Sequence, residues 1–542
     1  MELRIDRTRQ ADALEKMGDV FENATEDFYR MHPDPFDERA PHSIFPGCKL
    51  GLLQKELSSD PDFLDKVVED FILETPNTRV RAAACRLLLL TLPGFEVQPT
   101  FNSFGQRLVP KLEHWSRLEL SEPLCSLAIG LLGLAMECPD IAGEHKAINY
   151  ALVPRIIIQM QILIRLILPD NEIESASPPA KKSRLSIPAP SQEDNCDSRS
   201  SFTSEVDIRP NHRMHPMTDK RRLTLLLEYL IPMAEYFEHL PKFIETNVLS
   251  NVLLLIKSGD SIIKLETLKL LSSLLCHSKV AVDFVESDGL DVLIQVPKGS
   301  RAAAAVSVCL YYLAYNNDVM ERLARSPAEK LKRVVEYTLD LIETKHDSAR
   351  VHGIMFFSYA LQNKSLDILK YFDECDGVRR LYNVLSTLKI LQKDQNHQID
   401  THAEKTCTKM ASICILRYLE QHLSQLAAQN NIQLGLSQSG LKNCSLFEMA
   451  REIDERKVDN LDKFVPFVRL IELEAPRTLV RLALHASDWV GFAGKLETVK
   501  SLLQIVAVLS YSNKALLQLT MPIITESTHD DLQVKIRAYD FF

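Results

Sequence analysis

The sequence predicts an all-α chain, an armadillo/HEAT-like α-solenoid with a disordered internal linker. Three observations carry that prediction: apolar residues recur at helical spacing along most of the chain, glycine is scarce, and one short motif returns at the interval of a helical repeat. The 17 glycines in 542 residues fall well below the usual share of about 7%. Tight hairpins and glycine-rich phosphate loops are therefore poorly supplied.

Helical grammar opens early. Asn77 and Thr78 precede VRAAACRLLLLTL, in which Val80, Ala83, Ala84, Leu87, Leu88 and Leu90 mark one apolar face before Pro93-Gly94 ends the pattern. In EPLCSLAIGLLGLAMECPD, Pro123 suits a first helical position and Pro139 follows the run. The N-terminal helical domain is placed at residues 1–168 and a helical repeat domain at 217–542.

Between them, residues 169–216 hold seven prolines and nine serines, too little apolar surface to offset the entropy of ordering. Lys181, Lys182 and Arg184, just after Pro178-Pro179, form either a short basic nuclear signal or a solvated charge cluster.

The recurring motif is Phe243-Ile244-Glu245-Thr246-Asn247-Val248, Phe284-Val285-Glu286-Ser287-Asp288-Gly289 and Phe372-Asp373-Glu374-Cys375-Asp376-Gly377. Phe243 and Phe284 stand 41 residues apart, and Phe284 and Phe372 stand 88 apart, two periods of 44. Both fit the roughly 40–47-residue period of armadillo-type repeats. A member lacking the glycine is expected near residue 328, where SPAEKLKRVVEYTL begins after Pro327. One helical hairpin cannot cover its own apolar face, so each motif is read as the junction between helices of a stacked repeat. Gly289 and Gly377 are expected to take a backbone conformation that bulkier residues resist.

Charge and chemistry narrow the function. A net charge of −10 offers no general field for a nucleic-acid backbone or an anionic membrane. Eleven cysteines without a CxxC pair read as reduced core thiols. The start, MELRIDRTRQADALEK, lacks the apolar core of a secretory signal, and Ala151–Leu168 is interrupted by Pro154, Arg155 and Arg165, so it is read as a buried or partner-covered helix. No G-x-G-x-x-G, H-R-D or D-F-G string is present, and HASDW lacks the elbow of a serine nucleophile.

His397, His402, Cys407 and Cys414 are the densest set of zinc-type ligands, but their spacing lacks paired short intervals, and the cysteines are read as core. Tyr311, Tyr312 and Tyr315 are either a stacking platform or inter-repeat core, and core is the reading adopted. No catalytic, cofactor or metal residue is assigned. The final LQVKIRAYDFF leaves Tyr539, Phe541 and Phe542 apolar with no polar cap, as at a cut edge or in a short isoform, and self-association through them is expected.

A resemblance rests on whole strings: HPDPFDERAP from His32, AACRLLLLTLPGFE from Ala83, HPMTDKRRLTLLLEYLIPMAEYFEHLPKF from His215, AVSVCLYYLAYNNDVMER from Ala305 and DGVRRLYNVLSTLKIL from Asp376. In that order, the chain resembles the N-terminal region of the Vpr-binding protein family, also called mahjong, large substrate receptors of a cullin-RING ubiquitin ligase. The resemblance implies a non-catalytic scaffold in protein ubiquitination, present in nucleus and cytoplasm, with substrate proteins as partners. It also implies that the ligase adaptor is gripped by a WD-repeat propeller, which is not legible in these 542 residues. Two alternatives are an atypical serine/threonine kinase, since some members are credited with kinase activity, and a nuclear transport adaptor. The second needs a ladder of tryptophans, and the chain has two.

Overall fold

The structure is a computed structural model that describes residues 2–37, 39–60, 62–92, 97–168, 213–363, 366–386, 401–430, 446–455, 461–520, 523–526 and 533–536. Lys181, Lys182, Arg184, Tyr539, Phe541 and Phe542 lie outside the described residues, as does most of 169–216. The fold is an all-α solenoid in two compact units, residues 1–33 with 38–273 and residues 34–37 with 274–542.

The first unit runs α1 (Glu2–Arg30), α2 (Pro41–Ile44), α3 (Lys49–Ser58), α4 (Phe63–Asp65) with a π-helical continuation at Lys66–Leu73, α5 (Thr78–Thr91), α6 (Val97–Ser116), α7 (Pro123–Met136), α8 (Pro139–Glu144), α9 (Lys146–Ile167), α10 (Asp219–Glu235), α11 (Leu240–Glu245), α12 (Val248–Ser258) and α13 (Ser261–Leu275), which carries the chain to the boundary. Local chemistry sets several starts: the Asn77 side chain accepts from the Arg79 amide, and Thr218 accepts from that of Arg221. The long helices α1, α5, α7 and α10 pack in sequence.

That packing corrects the expected boundary at 217. The apolar face of α7 is covered by α10, which also lies on α9, and Tyr229 in α10 donates to Asn149 in α9 at 2.9 Å. Residues on both sides of 169–212 thus share one core, and the division falls at 273/274. Composition marks where a chain cannot form a core of its own, not which cores it separates. Limited proteolysis is accordingly expected to cut first within 169–212, yet leave two pieces that co-elute on gel filtration. Separation without denaturant would mean that the α7–α10 interface does not hold.

Helix α9 covers the stretch read as a helix from Ala151, and Lys146–Ile167 runs continuously through Pro154. By length and composition it could cross a membrane. In this unit it buries Leu152, Val153, Ile156, Ile157, Met160, Leu163 and Ile164 and exposes Tyr150, Ile158, Ile162 and Leu166.

The second unit continues with α14 (Ser278–Glu286), α15 (Gly289–Leu293), α16 (Ala302–Tyr315), α17 (Asn317–Ala324), α18 (Ala328–Ile342), α19 (Asp347–Gln362), α20 (Leu366–Glu374), α21 (Gly377–Ser386), α22 (His402–Gln429), α23 (Leu446–Glu455), α24 (Val465–Glu472), α25 (Ala475–Ala486), α26 (Lys495–Leu509) and α27 (Asn513–Thr520). A three-helix rhythm recurs in which a short helix separates two longer ones, as in α16–α17–α18 and α19–α20–α21. The long members α16, α19, α22 and α26 stack side by side. A reciprocal capping box, Thr401 with Glu404, starts α22.

The stretch beyond α27, read as continuing helix, instead contains an antiparallel pair, β1 (Ile523–Glu526) with β2 (Gln533–Ile536), in which Ile523 faces Ile536. Isoleucine, threonine and valine there fit an extended backbone better than a helix.

Candidate functional site

The repeat junctions set how each helix pair follows the last. Phe243, Phe284 and Phe372 are all buried at the ends of the short helices α11, α14 and α20. The chain then turns through one left-handed residue: Asn247 (φ 50°), Asp288 (φ 55°) or Asp376 (φ 60°). Gly289 and Gly377 do not carry the positive φ expected of them; the residue before each does. Asparagine and aspartate tolerate that region through local hydrogen bonding.

The glycines answer a different demand. A Cβ on Gly289 would lie 2.3 Å from the Phe284 ring, and one on Gly377 would lie 2.5 Å from the Phe372 ring. Each ring folds back over the first residue of the next helix and leaves no room for a side chain.

A further junction escaped sequence reasoning. Leu470-Ile471-Glu472-Leu473-Glu474-Ala475 makes the same turn, with Glu474 at φ 55°. Leucine replaces phenylalanine and alanine replaces glycine, so only the shared glutamate and the five-residue offset could have revealed it. At the degenerate position near 328, Pro327 caps α18 at φ −54°, because a proline ring forbids the left-handed turn.

Successive repeats of the second unit are held in register by polar contacts about one period apart. Lys330 reaches Asp288 at 2.9 Å, Arg333 reaches Asp291 at 2.9 Å, Tyr337 donates to the Val296 carbonyl at 2.8 Å, and Lys298 pairs with Asp340. Arg380 of the next repeat also meets Asp340, at 2.7 Å. Lys298 and Arg380 hold the Asp340 carboxyl below its ordinary range although burial pushes it upward.

On the stacked long helices, this register assembles an aromatic shelf. Tyr311 and Tyr315 of α16 meet Tyr359 of α19 with ring centroids 5.7 and 5.2 Å apart, and His352 of α19 lies 5.7 Å from Tyr311. From α22, the Arg417 guanidinium lies 5.7 Å from the Tyr359 ring centre and donates to the Ser358 carbonyl and hydroxyl, both at 2.8 Å. Tyr311 and Tyr312 are half-buried and Tyr315 is 62% exposed, so the tyrosine stripe read as inter-repeat core lies instead at the margin between core and solvent.

Burial pushes the Tyr311 hydroxyl up and the His352 imidazole down from their ordinary values, so both are neutral at pH 7. Among the described residues Arg417 has no carboxylate partner. Asp34, from HPDPFDERAP, supports the shelf from beneath. Its carboxylate accepts from the Ser348 amide at 2.8 Å and the Ser348 hydroxyl at 2.5 Å, capping α19, whose own N-cap His346 makes no side-chain cap.

Tyrosine and arginine are the residue types enriched among those that dominate protein-protein contacts. Of the zinc-type set, Cys407 and Cys414 are buried thiols pushed up to about 12 by burial, His402 packs against Phe492, and His397 lies outside the described residues. Among the described residues no group of three or more His, Cys, Asp or Glu could hold a metal ion. Tyr359, His352 and Arg417 were not legible beforehand, because they approach Tyr311 only through stacking.

Two family models match the sequence: the DCAF1 N-terminal domain over residues 5–94 and the Mahjong helical domain over residues 167–327. Among similar proteins, protein mahjong of Drosophila melanogaster is 29% identical over 91% of this chain and 36% of its own length. The DDB1- and CUL4-associated factor homolog 1 of Caenorhabditis elegans is 30% identical over 76% of this chain and 28% of its own. The chain thus spans about a third of the length of these relatives. Similar solved structures include an engineered protein, 13% identical with a TM-score of 0.41 over 92% of this chain and 99% of that one, and SYS-1, 13% identical with a TM-score of 0.32 over 94% and 70%. Likenesses of that size decide nothing further.

Proposed function

With the chain belonging to the mahjong family, we propose that it is the substrate-holding helical arm of a cullin-RING ubiquitin ligase receptor, acting by binding proteins and not by catalysis. The observation that carries the binding role is the shelf of Tyr311, Tyr315, Tyr359 and Arg417, rigid beneath and open above. The ligase role rests on the relatives, one of which is named for association with DDB1 and CUL4. In this reading, substrates lie on the helical arm while the adaptor is held by another part of the receptor. Nuclear entry through Lys181, Lys182 and Arg184 and self-association of the arm belong to the same proposal.

The test is quantitative mass spectrometry of proteins captured by the 542-residue chain and by its Tyr315→Ala/Arg417→Glu variant, with melting temperature as the folding control. Loss of a hot-spot residue costs about 2 kcal/mol or more, so a discrete set of proteins should fall about 30-fold in the variant. Those proteins should accumulate in cells when cullin activation is blocked. An unchanged set removes the shelf from the proposal, and levels indifferent to cullin activity remove the ligase role.

The kinase alternative is checked by nucleotide. A kinase stabilised by ATP gives a saturable thermal shift, and none is expected here. Alanines at Lys181, Lys182 and Arg184 should move a fluorescent fusion toward the cytoplasm; an unchanged distribution leaves these residues as a solvated cluster.

A further inference from the structure

Helix α26 has two apolar faces. One buries Leu502, Ile505, Val506 and Leu509 within the second unit, where α22 and α25 pack on the helix. The other carries Leu496, Val499, Leu503 and Ala507, at positions i, i+3, i+7 and i+11. With Ser487, this second face lines a groove of about 590 Å³. Leu496 is 80% exposed. A soluble surface helix ordinarily turns a polar face outward, so a second stripe at helical spacing is a surface built to be covered.

Its flanks identify the cover. Lys495 and Lys500 border the groove, and among the described residues neither has an ion-pair partner. Glu497, the acid between them, is taken by Lys409 of α22 at 2.5 Å. The groove is therefore apolar along its floor and positive along its rim. The eleven steps from Leu496 to Ala507 rise roughly 16 Å at 1.5 Å per residue, the length of three turns of a facing helix. Apolar anchors spaced in this way are how a groove receives an amphipathic helix.

We propose that the outer face of α26 is a docking groove for an amphipathic helix of a partner protein, one whose apolar stripe is bordered by aspartate or glutamate. The stripe enters over Val499 and Leu503, and the acidic border meets Lys495 and Lys500. This site is separate from the aromatic shelf and does not depend on the ligase reading.

The experiment selects from a displayed library of 18-residue helical peptides, with the apolar stripe fixed and the flanking positions randomised, on the full 542-residue chain. Three variants run in parallel: Leu503→Glu, Lys495→Glu/Lys500→Glu, and Tyr539→Ser/Phe541→Ser/Phe542→Ser. Acid-flanked peptides should be enriched at least tenfold on the parent chain over Leu503→Glu, and the double lysine variant should shift the preference to lysine and arginine while melting temperatures stay within a few degrees. Enrichment equal on parent and Leu503→Glu, or blind to flanking charge, overturns the proposal. So does peptide binding that appears only in the triple variant, which would make the chain's own terminus the occupant. A concentration-dependent dimer abolished by Leu503→Glu would make a second copy the occupant and overturn it equally.

Discussion

Arg86→Met is expected to destabilise the first unit by about 3–5 kcal/mol, the cost of leaving a buried charge without its partner. Arg86 and Glu22 are 3% and 2% exposed, and the Arg86 Nε donates to Glu22 at 2.8 Å while its Nη2 reaches Asp19 at 2.7 Å. The same Glu22 oxygen accepts from the Met214 amide at 2.8 Å, so the carboxylate ties α1, α5 and the segment entering α10. Removing the guanidinium leaves the Glu22 carboxyl buried without its partner.

The measurement is the urea midpoint of the 542-residue chain. The double variant Arg86→Met/Glu22→Leu should recover much of the loss, because replacing both members of a buried pair with apolar side chains is often near neutral. A single-variant loss under about 1 kcal/mol is what an exposed pair would give, and would show that the site is wet.

Gly377→Val is expected to cost the second unit about 1–3 kcal/mol by overpacking. The cause is the Phe372 ring, 2.5 Å from where the new Cβ must sit, and not backbone strain. That distinction can be measured. Asp376→Gly should hold or raise stability, since aspartate is the residue at φ 60° and glycine adopts that conformation freely. Gly377→Ala combined with Phe372→Leu recreates the Leu470–Ala475 pair already present at another junction, and should fare better than Gly377→Ala alone. If instead Asp376→Gly is the damaging change and the leucine gives no relief, the ring contact does not govern the junction.

The glycines show how far the sequence could be followed. Their recurrence five residues after a phenylalanine coincides with a helix junction, but the spacing does not reveal which of two neighbours bends the backbone. Asn247 and Val248 held the clue, because a turn that accepts valine at the glycine's place cannot need glycine for itself. Likewise the shelf was half legible: Tyr311, Tyr312 and Tyr315 lie in one string, whereas Tyr359 and Arg417 arrive from helices 44 and 102 residues beyond Tyr315.

The sequence by itself determined most of the helices, many of their caps and the repeat period, because each of these rests on residues close to one another along the chain. Only the tertiary structure decided which core spans 169–212, why Gly289 and Gly377 bear no side chain, that Lys330 and Arg333 lock to Asp288 and Asp291, and which tyrosines face solvent. The physical reason is that helix spacing is a property of neighbours along the chain. Stacking brings together residues a full repeat apart, and their meeting is set by how whole helices pack.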